Sequence, residues 1–295
     1  QHTQRNTTHN NPHTTMGNSI INKMIFSQIP PHVERRHRDL TANRVINYIP
    51  GFHGYSIPYL HIRNREKSPL VLVYFHGNAS DLESVYSQLD YFSQVLKAEV
   101  YAIEYTGFGV HQLENSIRPS EKTMFNDALT FVDFLLTRYN AENIVLYGRS
   151  LGSAPALHVA SQRAELGGLI LESAFTTPLK TVLKNKTSHK LVTGFSSRTL
   201  FDNEHHIQTV EAPVFIFHGT HDDVVPHVHS LKLANLAKQS RYVQLYDVEK
   251  GTHNNLWQVQ GSLIVRQLQL FLSQYGLYEL ITVNLNHNPY SSVAV

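Results

Sequence analysis

The 295-residue sequence contains no cysteine. That excludes disulfides, thiolate metal sites, a cysteine nucleophile and palmitoylation of the chain itself. Excess charge of either sign is also missing: 25 Lys+Arg against 23 Asp+Glu give a formal net charge of +2, with no long basic run. Such a balance offers nothing to a polyphosphate, so nucleic acid is not an expected partner. Long apolar runs are lacking too. Leu70–Phe75 and Leu169–Leu171 have the length of buried strands, far short of the roughly 18 residues a membrane span needs. Residues 1–15, QHTQRNTTHNNPHTT, hold no apolar side chain and so no signal-peptide core. A soluble chain is expected, with the cytoplasm the favoured compartment.

What the chain does have is a large apolar fraction, 41%, arranged in a rhythm. Leu70–Phe75, Val100–Tyr105, Ile144–Tyr147, Leu169–Leu171, Val214–Phe217 and Tyr242–Tyr246 are mostly near-continuous, as strands covered on both faces should be. Helix-sized segments lie between and after them, at about 80–97, 120–139, 151–164, 227–238 and 254–274. Alternation of this kind implies an α/β fold: a mostly parallel central sheet with helices on both faces. Residues 44–62 should add antiparallel strands at one edge, turning near Gly51 and Gly54. The expected organisation is a flexible leader over 1–20, one domain over 21–278 and a tail over 279–295. Within the domain, 175–211 is too long for a simple crossover and is expected to form a small lid.

Gly148-Arg149-Ser150-Leu151-Gly152 is a G-x-S-x-G pentapeptide between an apolar run and a small-residue helix start. In a strand–turn–helix this motif lifts the central serine hydroxyl above the sheet. A serine hydroxyl is a weak nucleophile near neutral pH and needs a base, which itself needs an orienting carboxylate. Both should follow in chain order, each in a loop after a later strand. Val214–Phe217 leads into His218-Gly219-Thr220-His221-Asp222-Asp223, and Tyr242–Tyr246 leads towards Thr252-His253-Asn254. Ser150, Asp222 and His253 are therefore the candidate nucleophile, acid and base. Asp223 remains the alternative acid, or a group backing Asp222. Two backbone N–H groups should receive the developing oxyanion: that of Leu151, and that of Asn78 (or alternatively of its neighbour Ala79) in the loop after Leu70–Phe75. No cofactor and no metal is called for.

The segments YFHGNAS, EYTGFG, YGRSLGSAPA, LILESAF, FIFHGTHDDVVP and KGTHNN together resemble the serine α/β-hydrolases. They are most similar to the branch that holds the α/β-hydrolase-domain depalmitoylases and their serine-aminopeptidase-like relatives. The resemblance spans about 44–275 and implies the α/β-hydrolase fold and a Ser–Asp–His triad at Ser150, Asp222 and His253. Two positions depart from it: Glu104 and Thr106 stand where relatives usually carry Asp and Arg. The Cys-rich N-terminal segment that anchors animal depalmitoylases has no match in these residues.

The expected reaction is hydrolysis of a carboxylic ester or thioester, on a small molecule or a protein-linked acyl group. Apolar residues of the 175–211 interval, among them Leu179, Val182, Leu191 and Phe195, are edged by Lys180, Lys184, Lys186 and Lys190. Packing on the domain is the favoured reading of that surface, and peripheral membrane contact the alternative. Three other functions fit the sequence less well. A peptidase of the same fold lacks an obvious acidic anchor for a peptide amino terminus in the lid. A metallohydrolase built on His218, His221, Asp222, Asp223, His227 and His229 matches no zinc spacing. A non-catalytic binding protein would not need the whole constellation. Oligomeric state leaves no mark in the sequence.

Overall fold

In chain order the elements are β1 (Ile46–Pro50), β2 (Ser56–Ile62), β3 (Val71–Phe75), α1 (Leu82–Val95), β4 (Glu99–Ile103), α2 (Gly109–Gln112), α3 (Glu121–Leu136) and β5 (Ile144–Arg149). These are followed by α4 (Ser153–Ala160), β6 (Gly168–Glu172), α5 (Asn203–Ile207), β7 (Val214–Gly219), α6 (Val228–Leu236), β8 (Val243–Val248) and α7 (Leu256–Ser273). The computed structural model describes residues 46–277 except 52–53, 65, 67, 113–118 and 179–199. The proposed leader, the proposed tail and most of the proposed lid lie outside the described residues.

The strands form one sheet in the order β1-β2-β4-β3-β5-β6-β7-β8. β1 and β2 pair antiparallel, β2 meets β4 antiparallel, and β4 through β8 run parallel. Side chains alternate across the strands and build two cores. Val71, Val73 and Phe75 of β3 face α3, α4 and α6, while Leu72 and Tyr74 face α1 and α7. Every residue of β3, β6 and β7 is buried, which explains their near-continuous apolar sequences. Two helix starts are fixed by reciprocal capping, Asp81 with Ser84 for α1 and Ser120 with Thr123 for α3.

The order 4-3-5 makes the β3/β5 gap the switch point of the sheet, because the chain turns outward in opposite directions from these neighbours. Open α/β sheets bind their ligands outside the carboxyl ends of strands at such a point. Pairing of Phe75 with Gly148 sets the loops after β3 and β5 side by side there. The described ends of the 175–211 interval also meet. Asn203 N–H donates to Thr176 O at 3.0 Å, and its Nδ2 reaches Phe175 O at 2.8 Å and Ser153 Oγ at 3.2 Å. The two described ends of the interval thus sit together beside the start of α4.

α5 packs on α4 and α3 through aromatic rings. His158 stacks on Phe125 with centroids 4.0 Å apart, and His206 sits edge-on to His158 at 4.9 Å. Burial, and then the neighbouring His206, push the His158 imidazole down from 6.5 to about 4. Burial lowers His206 as well. The unfolded chain therefore binds the extra protons, so this contribution to stability is complete above about pH 6.5 and is lost as pH falls towards 4. Urea titrations of the protein and of His158→Phe should differ by about 1 kcal/mol in their loss of stability between pH 7 and pH 5, with the variant losing less. Equal losses would mean that the imidazole stays solvated.

Candidate active site

The backbone is strained at the turn out of β5. Ser150 has φ of +50°, a region that costs a non-glycine residue energy and persists only where the surroundings impose it. Its surroundings do so. Residues 150–152 form a single 3₁₀ turn leading into α4, and Ser153 Oγ donates to Ser150 O at 2.6 Å. Gly152 passes so close beneath β3 that a Cβ there would lie 2.0 Å from Phe75 O. Only glycine lets strand and helix meet at this distance.

Ser150 Oγ lies 3.0 Å from His253 Nε2, across 103 residues of sequence. The other ring nitrogen, Nδ1, is 2.7 Å from Asp222 Oδ2. With the proton assigned to Nδ1, facing the carboxylate, Nε2 is left to accept from the serine hydroxyl. Asp222 is held in turn. Oδ1 accepts from Val224 N–H at 2.9 Å and Val225 N–H at 2.8 Å, and Oδ2 also lies 3.1 Å from His218 Nε2. Burial alone would raise this carboxyl, but hydrogen bonds from His218 and His253 outweigh it and hold it well below the usual carboxylate range. Asp223, next in the chain, is exposed.

Asn78 and Leu151 follow the two residues that bring the loops together. A Cβ on Gly77 would sit 3.6 Å from Ser150 Cβ. The loop after β3 is braced from below by groups that the sequence marked only as departures. His76 Nε2 is 2.9 Å from Glu104 Oε1, Leu82 N–H donates to Glu104 Oε2 at 3.1 Å, and Tyr105 Oη–H donates to His76 O at 3.0 Å, all buried. Thr106 donates through N–H (3.0 Å) and Oγ1 (2.8 Å) to Asp127 Oδ2. The longer arm of glutamate lets one carboxylate serve both the loop and the first N–H of α1.

His218 was read from the sequence only as part of a dense histidine stretch. Its Nδ1 accepts from Ser230 Oγ at 2.6 Å, and its Nε2 faces Val225 O at 2.8 Å as well as Asp222. The other members of the stretch go elsewhere: His229 Nδ1 pairs with Thr176 Oγ1 at 2.8 Å and His227 Nε2 with Asp247 Oδ1 at 2.7 Å. Among the described residues no group of three or more His, Asp or Glu side chains is arranged to hold a metal ion. Among them, too, no helix is long and apolar enough to cross a membrane.

Comparison with known proteins gives consistent results. Residues 66–203 match the family model described as serine aminopeptidase, S33, a span that holds Ser150 and ends before Asp222 and His253. Alpha/beta hydrolase domain-containing protein 17C of Mus musculus is 32% identical over 197 residues, 66% of this chain and 58% of that protein. The chain thus spans less than two thirds of that relative's length. Protein 17B of Homo sapiens is 29% identical over 75% of this chain and 72% of its own. Among solved structures, an esterase from Pyrococcus furiosus superposes with a TM-score of 0.62 at 16% identity, covering 78% of this chain and 91% of its own. Alpha/beta hydrolase domain-containing protein 10 from mouse gives 0.60 at 17%, covering 78% and 98%. These superpositions identify the fold as that of the α/β-hydrolases.

Removing His218 tests how Asp222 is held. His218→Ala takes a donor from a buried carboxylate and should lower stability by about 1–3 kcal/mol in urea unfolding at pH 7.5. An unchanged midpoint would show that the other donors suffice.

Proposed function

We propose that this chain, which has the α/β-hydrolase fold and is similar in sequence to alpha/beta hydrolase domain-containing proteins 17B and 17C, cleaves carboxylic esters or thioesters through an acyl-enzyme on Ser150. The observation that carries this reading is the unbroken hydrogen-bonded line from Ser150 Oγ through His253 to Asp222. Nε2 of His253 takes the hydroxyl proton as Oγ attacks the acyl carbon. Asp222 keeps the ring in the required tautomer and stabilises the imidazolium that forms. The N–H groups of Leu151 and Asn78 receive the oxyanion, a contribution of about 3–4 kcal/mol per donor in comparable sites. His253 then gives its proton to the departing alcohol or thiol. A water molecule, deprotonated by the same nitrogen, attacks the acyl carbon; the bond to Ser150 Oγ then breaks, the acid leaves, and His253 returns the proton to Oγ. Each half-reaction transfers one acyl group and passes one proton through His253, and neither requires a cofactor.

An acyl-protein thioester or a lipid ester is the substrate class suggested by the likeness to the depalmitoylase branch. The description of the matching family as a serine aminopeptidase supports a second reading, hydrolysis of an amide by the same three residues. Parallel assays with p-nitrophenyl butyrate, a palmitoyl-thioester peptide and aminoacyl anilides separate the two.

Labelling by a fluorophosphonate probe is expected, and Ser150→Ala should eliminate it. Asp222→Asn should lower kcat by about 10⁴ through the wrong imidazole tautomer, whereas Asp223→Asn should stay within about twofold of the parent. Since the Asp222 carboxyl is held so low, it should add no inflection to kcat/KM between about pH 4.5 and 9. Labelling that survives in Ser150→Ala would end the proposal.

A further inference from the structure

Arg149 immediately precedes Ser150 in the pentapeptide. Its guanidinium reaches three parts of the fold. Nε donates to Glu172 Oε1 on β6 at 3.2 Å. Nη2 donates to the backbone carbonyl of His253 at 3.3 Å and to Asn254 Oδ1 at 2.9 Å. Nη1 lies against the loop after β3, 3.1 Å from where a Cβ on Gly77 would stand, so a side chain at 77 would push the guanidinium away. Glu172 is itself fixed, buried at 1% exposure, with the Tyr147 hydroxyl donating to Oε2 and Trp257 Nε1 3.4 Å from it.

We propose that Arg149 is a positioning residue: its guanidinium locks the backbone of His253 to the turn that carries Ser150, and so sets the distance between imidazole and hydroxyl. The inference rests on the catalytic reading above and adds to it the group that fixes the base. The need is geometric. β8, which feeds the His253 loop, is separated from β5 by β6 and β7, so no strand pairing fixes that loop against Ser150. Asp222 holds Nδ1, but a ring held at one nitrogen still shifts with its backbone. A misplacement of about 1 Å can cost about 10²-fold in rate. Arg149 removes that freedom because it is adjacent to the nucleophile and binds the main chain of the base. Lysine cannot replace it: an ammonium is a single point of attachment, whereas the planar fork meets Glu172, His253 O and Asn254 at once.

The test compares the parent protein with Arg149→Lys and Asn254→Ala, the latter removing one acceptor of the fork without touching Glu172. Three quantities are read: kcat and KM for p-nitrophenyl butyrate, the thermal midpoint, and the downfield proton resonance of His253 Nδ1–H in the free protein. Arg149→Lys should lower kcat by about 10–100-fold with KM within about twofold, and should shift or broaden the Nδ1–H resonance while the protein remains folded at the assay temperature. Asn254→Ala should lower kcat by a smaller factor, about 3–10-fold, with the same KM. The proposal is overturned if Arg149→Lys keeps kcat within twofold, or if its loss merely follows the unfolded fraction and vanishes on cooling. Should Arg149→Lys not fold, Asn254→Ala decides alone, and unchanged kcat with an unchanged resonance refutes the clamp. If the parent shows neither hydrolysis nor probe labelling, the catalytic reading fails, and the resonance still reports whether Arg149 holds the His253 ring.

Discussion

An ionised carboxylate taken out of water costs several kcal/mol unless each oxygen finds donors. The side chain of Asp222 is fully buried, and the loop after β7 is shaped to supply those donors. Val224 and Val225 turn their N–H groups onto one oxygen, while His218 and His253 approach the other. These contacts bind four segments to one charge: the turn itself, the interior of β7, the start of α6 through Ser230, and the loop after β8. If the charge were lost, the histidine facing Ser150 would lose the partner that selects its tautomer. If the donors were lost, the charge would have to leave the interior.

The same economy governs the other side of the cleft. Pairing of β3 with β5 brings two loops into contact at the switch point, and the strained φ of Ser150 holds its hydroxyl clear of the sheet. That strain is sustained by close packing beneath it, with Gly152 against Phe75 O and Ser153 Oγ on Ser150 O. Glu104 and His76 brace the neighbouring loop as a buried pair. Stability and the proposed chemistry thus draw on the same contacts. The residues that would do the chemistry stand on short turns, each fixed by a polar contact to an element distant in sequence.

Much of this was legible in the sequence, for physical reasons. Strands covered on both faces read as near-continuous apolar runs, which marked β3 through β7, and the turn glycines at 51 and 54 marked the antiparallel edge. Ends of elements were less visible. β4 stops at Ile103, two residues before the apolar run suggested, because Glu104 and Thr106 turn to His76 and Asp127. α4 starts at Ser153 and not at 151, because the serine turn takes 3₁₀ geometry first. α2 and α5, of four and five residues, are too short for a periodic pattern to show. At the site, chain order pointed to Ser150, Asp222 and His253, and the structure brings those three together. Choosing between Asp222 and Asp223 needed the turn that pulls Val224 and Val225 onto one of them. His218, Glu172 and Arg149 act over separations that leave no local pattern.

The most direct test of the central claim is to look for the acyl group. Rapid acid quench of the protein with p-nitrophenyl butyrate, followed by mass spectrometry, should reveal one butyryl addition, carried by the peptide that contains Ser150. The addition should appear within the first turnover and disappear as substrate is exhausted. Turnover with no acylated peptide, or a stable acyl group on a different residue, would contradict the account.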